Sequence, residues 1–498
     1  MKPGAVLLIL GDLVSLLQLN FQLLLLFVEK GPLQGYNNIS NCLNNHRISK
    51  VSIARAAIEM QRKGDIIMDA KVYDAYVQIL GAELLKALGC TEPGAVAFTA
   101  AKAVDVLGKK PERMEVNSSG NIIKNVKGVI VPNSGGLRGI APAAILGALV
   151  AKPELELEIL EGVTDAERAE AKELLANPDY CKSTVEEGEG NLYVEVTVWA
   201  GDDSAKVIIR NNHTNIVLIE KNGEAVQSGA ALSEGADIAE LKKLMSLEGI
   251  IEFAKTCNLD DVKVYLDQQI ECNNAIGEEG LKGGYGADVG KTLIETYGDS
   301  GLNRVKALAA GGSDARMAGS VMPVVINSGS GNQGITIANS ITEFARQNGF
   351  DEETMYRGLL IGNLISIHIK KHIGPLSAFC GAVSAGAGAS AAFTFMSGGT
   401  DEQIGQSLVN VLGDCGGMVC DGAKSSCAAK IASSIDAAIM GHKMAMAGRG
   451  FEPGEGLVMD NFEETIRSIG YVGRVGMKET DVEILHVMLG DRDLDPYK

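Results

Sequence analysis

Aromatic residues are scarce in this chain of 498 residues: they fill 5% of positions, and Trp199 is the only tryptophan. A core of that size must be packed with Ala, Val, Ile and Leu, and the 60 glycines imply backbones lying close together. Basic charge is also in short supply. Sixty-three Asp and Glu face 45 Lys and Arg, a net charge of −18, which argues against nucleic acid or an anionic membrane as a partner. Long apolar runs are missing too. Residues 13–28 are broken by Ser15, Gln18, Asn20 and Gln22, and a bilayer needs ~20 apolar residues. Only Lys2 is basic ahead of that run and no small-residue cleavage pattern follows it, so a signal peptide does not fit. Residues 1–66 are expected to be an atypical extension, translated from a mis-called start with Met60 or Met68 as the true one. A weak membrane anchor is the alternative.

Cysteine is present nine times, an odd number in a long chain, which argues against a disulfide scaffold and for reduced thiols in a cytoplasm. The positions are Cys42, Cys90, Cys181, Cys257, Cys272, Cys380, Cys415, Cys420 and Cys427. Four of them fall in the last quarter, and that clustering needs a cause.

Periodicity predicts an α+β fold: a predominantly helical, Ala/Gly-rich catalytic domain over 67–150 plus 236–498, with a small α+β insert over 151–235. Residues 69–88 have helical spacing, and Gly89 stops that helix just before Cys90. A second helix is predicted after Thr91-Glu92-Pro93. Residues 115–131 read as short strands, and Glu154 to Leu160 alternates. A charged helix is predicted over 165–176. Three alternating runs, 191–200, 205–211 and 214–221, carry hairpin signals. Two glycine-rich loops resemble each other, Val131-Pro132-Asn133-Ser134-Gly135 and Val325-Ile326-Asn327-Ser328-Gly329. Each is followed by a helix, where backbone amides can meet an anion. Tight turns without a ligand explain them equally.

Other motifs are weaker. Lys282 to Thr292 imitates a phosphate loop, but Tyr285 stands where its first glycine belongs. His368 and His372 are spaced like metal ligands, yet with Lys370 and Lys371 they read as cations at a helix C-terminus. The string Ser330-Gly331-Asn332-Gln333-Gly334 also occurs in pyridoxal-phosphate eliminases, without a cofactor lysine in matching context.

The strongest signal is Cys380 followed by Cys420-Asp-Gly-Ala-Lys-Ser-Ser-Cys427, polar and glycine-bearing as a site would be. Spacing alone leaves zinc and an iron–sulphur cluster open. Together with Gly89-Cys90-Thr91-Glu92-Pro93 and the loop 328–334, this element resembles the L-cysteine desulfidase family, which is related to the alpha chain of iron–sulphur L-serine dehydratases. The likeness runs from about Met68 to the end. It implies a [4Fe–4S] cluster on Cys380, Cys420 and Cys427, with Cys90 as base and Cys415 outside the set. It implies β-elimination from L-cysteine, giving pyruvate, ammonia and hydrogen sulphide, or from L-serine on the same scaffold.

An iron left open by three thiolates can act as a Lewis acid on the substrate. A thiolate at Cys90, favoured by the helix N-terminus beside it, can take the Cα proton. Ser134, Ser328, Ser330, Asn332 and Gln333 can hold the carboxylate, with Arg138 adding charge. His213, at a hairpin end, is a further candidate, with a turn role as the alternative. A non-enzymatic metal-binding or redox-sensing protein is the competing class. The expected partner is a small amino acid, and the Gly/Ala-rich helices suit packing within one subunit or in a homo-oligomer.

Overall fold

The computed structural model describes residues 68–186, 188–228 and 234–495. The expected extension over 1–66 lies outside the described residues. The helix Ala70–Glu83 starts where the Asp69 carboxylate accepts from the amides of Lys71 and Val72, and it buries Ala75, Tyr76, Ile79 and Leu80. The helical spacing read over 69–88 is cut short. The chain instead extends into β1 (Lys86–Leu88), because Pro323–Val325, the eighth strand (β8), offers it an antiparallel partner. The helix Thr91–Leu107 follows, with Pro93 in its first turn. Almost all of its residues are buried, which suits its Ala, Val, Thr and Gly composition.

A mixed sheet holds β2 (Arg113–Ser118), β3 (Cys181–Val185), β4 (Tyr193–Ala200), β5 (Asp203–Arg210), β6 (Ile216–Lys221) and β7 (Glu224–Ser228). Its order is β3-β2-β4-β5-β6-β7, and only the β2–β3 pair is parallel. The three alternating runs are β4, β5 and β6. Their alternation points Val194, Val196, Val198, Val207 and Ile209 inward. Asn222 and Gly223 turn β6 into β7 with φ of 52° and 82°, the left-handed pair that a tight hairpin requires.

Two local expectations are corrected. Within 115–131 only β2 is a strand, and Gly120–Lys127 is a helix, since Ile122 and Val126 lie four apart and share its buried face. The alternating stretch from Glu154 belongs to a 3₁₀ segment, Pro153–Gly162. Its buried Leu157 and Leu160 are three apart, which is the 3₁₀ repeat. The charged helix is observed as Asp165–Leu175, opened by a Thr164–Glu167 capping box.

One apolar core joins the sheet to the helices Thr91–Leu107 and Ile140–Val150. A second lies among the helix Ala70–Glu83 and the helices from Leu247 onward. The fold is thus α+β and mostly helical. Among the described residues no helix is long and apolar enough to cross a membrane.

Glycine sets the spacing of the long helices. A Cβ at Gly280, in Lys263–Leu281, would overlap the backbone of Gly311, in Gly301–Met317. Gly362 and Gly388 meet in the same way between Glu352–Ile373 and Gly381–Met396. Backbone cannot rotate aside, so Gly280→Ala is expected to destabilise the fold by about 3 kcal/mol, at the upper end of overpacking costs. Gly162→Ala, where a Cβ meets nothing, is the matched control. Midpoints of urea unfolding for the two variants check this.

Candidate active site

Gly89, at φ 61°, turns the chain out of β1 against Pro132, whose ring leaves no room for a Cβ. The turn makes Cys90 the N-cap of Thr91–Leu107 and buries it. The Cys90 thiol donates to Glu92 Oε2 at 2.9 Å. The Thr91 hydroxyl lies 3.1 Å from the same oxygen and 2.9 Å from the Gly329 carbonyl. Asn125 donates to Glu92 Oε1 at 3.1 Å. His213 Nε2 is 3.8 Å from Oε1, an ion-pair distance too long for a hydrogen bond. Burial alone would raise the Glu92 carboxyl, but His213, Cys90 and Arg316 outweigh it and hold it at about 2. Burial and the Glu92 charge push the Cys90 thiol well above its ordinary range, with Arg316 opposing. The helix N-terminus does not overcome this, and Cys90 is a thiol donor to Glu92 in this structure.

The second glycine-rich loop closes over Cys90. Asn327 and Ser330 exchange backbone hydrogen bonds across Ser328 and Gly329, whose φ are 52° and 77°. Ser330 then caps Gly331–Asn348 by accepting from the Gln333 amide. A Cβ on Gly329 would sit 2.9 Å from the His213 ring, so the hairpin end carrying His213 docks here.

The three cysteines arrive from two further segments. A strand-like bridge pairs Phe379 with Val419. Cys380 donates its amide to Met418, and Cys420 donates its amide to Ala378. The two side chains therefore stand side by side. Cys427 follows on the first turn of Ser426–Met446. A hydrogen bond from Cys380 stabilises the Cys420 thiolate, and Lys124 and Lys370 help against burial, so Cys420 is lowered while Cys380 is raised. Lys124 is buried, lies 3.4 Å from the Cys420 carbonyl and pairs with Asp481. Lys430 pairs with Asp421. Among the described residues no three His, Cys, Asp or Glu side chains gather as a single-ion site. Cys380, Cys420 and Cys427 line one cavity with Lys370, and thiolates of this kind are the donors that iron–sulphur clusters use.

Cys90, Ser328, Ser330, Asn332, Gln333, Cys380, Cys420 and Cys427 line one cavity of about 100 Å³. His213 lies behind it, against Glu92 and Gly329. Ser134 and Arg138 are not brought in. Ser134 Oγ accepts from the Leu137 amide at 2.9 Å, and Ser134 lines a separate cavity of about 260 Å³ with Asn133, Gly135 and Arg168. Arg138 is exposed and bonds the Gly128 carbonyl. The first loop consumes its own polar groups, so it lacks the role expected from its likeness to the second.

The cavity also takes Thr91, Glu92, Asn125, Arg316 and Lys370. Glu92 has a signal in the sequence, since it follows Cys90 by two residues in the Gly-Cys-Thr-Glu-Pro string. Arg316 donates Nε to the Gly89 carbonyl at 2.8 Å and is reached only through the tertiary fold. His368 binds Glu463 at 2.9 Å rather than a metal. In the loop resembling a phosphate site, Asp314 accepts the Gly290 amide at 2.9 Å, occupying with a carboxylate a donor that a phosphate would need.

The helical scaffold and this cysteine-bearing cavity define a dehydratase-like enzyme. Residues 154–486 match the family model described as serine dehydratase alpha chain, and the chain belongs to that family. Among curated relatives, a UPF0597 protein of Desulfitobacterium hafniense (strain Y51) is 45% identical over 84% of this chain and 97% of its own length. One of Finegoldia magna is 46% identical over 83% of this chain and 99% of its own, and one of Lachnoclostridium phytofermentans is 44% identical over 84% and 100%.

Proposed function

We propose that this chain is a β-eliminating lyase that holds a [4Fe–4S] cluster on Cys380, Cys420 and Cys427 and converts L-cysteine to pyruvate, ammonia and hydrogen sulphide. The observation that carries the reading is that Cys90 and the three cysteines line one cavity. The family membership and the likeness to L-cysteine desulfidases support it. A cluster held by three thiolates supplies Lewis acidity at its fourth iron when bound. The chain's own residues supply the rest. Glu92 accepts the Cys90 S–H hydrogen bond at 2.9 Å and fixes the direction of the sulphur, while Arg316 favours its thiolate. As thiolate, the Cys90 Sγ takes the substrate's Cα proton, which leaves with the expelled HS⁻ as hydrogen sulphide. Asn125 and Thr91 keep Glu92 in place. Ser328, Ser330, Asn332 and Gln333 orient the substrate's polar groups. Loss of the β-substituent leaves aminoacrylate, which hydrolyses to pyruvate and ammonia. A reducing cytoplasm is the setting that this thiol chemistry suits.

The family's name favours one second reading, elimination of water from L-serine on the same residues. Anaerobically purified protein assayed in parallel with L-cysteine and L-serine separates the two. Sulphide release with the higher kcat/KM supports the desulfidase. Faster pyruvate formation from L-serine replaces it with the dehydratase, and turnover of neither overturns both.

A further inference from the structure

Among the described residues, every buried cation around the cavity has a protein partner except one. Lys124 has Asp481, and Arg316 has the Gly89 carbonyl. Lys371, next door on the same helix, has the carbonyls of Lys242 and Met245. Lys370 is 7% exposed and lines the cavity. Among the described residues its ammonium makes no hydrogen bond or ion pair within bonding distance. A buried charge without a partner is costly, so such a site wants an anion. Burial lowers the Lys370 ammonium to about 8, and the Cys420 thiolate attracts it from one side. Three N–H donors leave it free to bind a second anion that enters the cavity. The opposite polarity is present as well. Asn332 Oδ1 is buried without a hydrogen-bond partner on the same cavity, an acceptor suited to an ammonium.

We propose that Lys370 is the seat of the substrate's α-carboxylate, with Asn332 Oδ1 facing the α-ammonium, so that the cavity takes free α-amino acids and rejects amines, amides and peptides. This rests on the elimination reading for its chemistry, but binding tests it separately. It also narrows the role of the glycine-rich loop 327–333, which then reads the amino group while the helix Glu352–Ile373 reads the carboxylate.

The experiment is anaerobic calorimetry on the cluster-loaded protein with two unreactive probes, L-alanine and L-alaninamide, which differ only in the carboxylate. Wild type is expected to prefer L-alanine by about 100-fold, the value of a charge-assisted contact. In Lys370→Met the preference is expected to fall to a few-fold, with iron per chain unchanged, and KM for L-cysteine is expected to rise far more than kcat falls. Equal binding of the two probes by wild type overturns the proposal, and this arm needs no variant to fold. A preference that survives in Lys370→Met also overturns it, and if iron is lost at the same time, Lys370 serves the thiolates instead. Failure of wild type to turn over cysteine or serine counts against the elimination reading, while the probe preference still decides the seat.

Discussion

Cys90→Ser is expected to cut turnover by roughly 10³-fold while iron, sulphide and the visible spectrum stay at wild-type levels. The split follows from the geometry. Cys90 lies on the helix Thr91–Leu107, apart from the bridge and loop that carry the other three cysteines. Its removal therefore leaves their backbone supports intact. A serine hydroxyl still donates to Glu92, so the fold around the cavity is kept, but an alkoxide is far harder to form than a thiolate. Anaerobic activity beside iron and sulphide analysis is the measurement. If the variant kept full activity, Cys90 would not be the base. If the protein were only a redox sensor, its cluster signal would be equally unaffected, yet no wild-type activity would exist to lose.

Cys420→Ala is expected to strip nearly all iron from the purified protein and to abolish activity, whereas Cys415→Ala keeps both. Cys420 is the thiolate that its surroundings stabilise most, through Cys380, Lys124 and Lys370. Cys415 ends the helix Asp401–Cys415 and does not line the cavity. Its thiol is pushed up to about 11 by burial. Alanine at 420 removes the thiolate beside Lys370 on the cavity and near the buried Lys124, so a fall in thermal midpoint is expected alongside the lost iron. Iron analysis of the two variants purified side by side decides the matter, and a fully loaded Cys420→Ala protein would remove it from the ligand set.

Legibility in the sequence follows locality. The cysteine spacing, the loop 328–334 and the hairpins are readable because each is written in a few adjacent residues. Glu92 is half readable: its place beside Cys90 is plain, but it looks like part of a helix start. Lys370 is misleading, because a lysine in the last turn of a helix ordinarily faces water and the dipole, whereas this one is buried on the cavity. Arg316 has no local mark at all. Ser134 shows the opposite failure. Its loop spells nearly the same text as the second loop, yet its hydroxyl is spent on the Leu137 amide. The strand β1 reads as helix in the sequence because its partner, β8, is supplied from far along the chain.

The cavity walls come from Cys90, Arg316, Lys370 and Cys427, spread over most of the described chain. Contacts of such long sequence separation form late, after many loops have closed. A nascent chain therefore offers no finished pocket until its last long helices dock, so the proposed cluster is expected to load only on the completed fold.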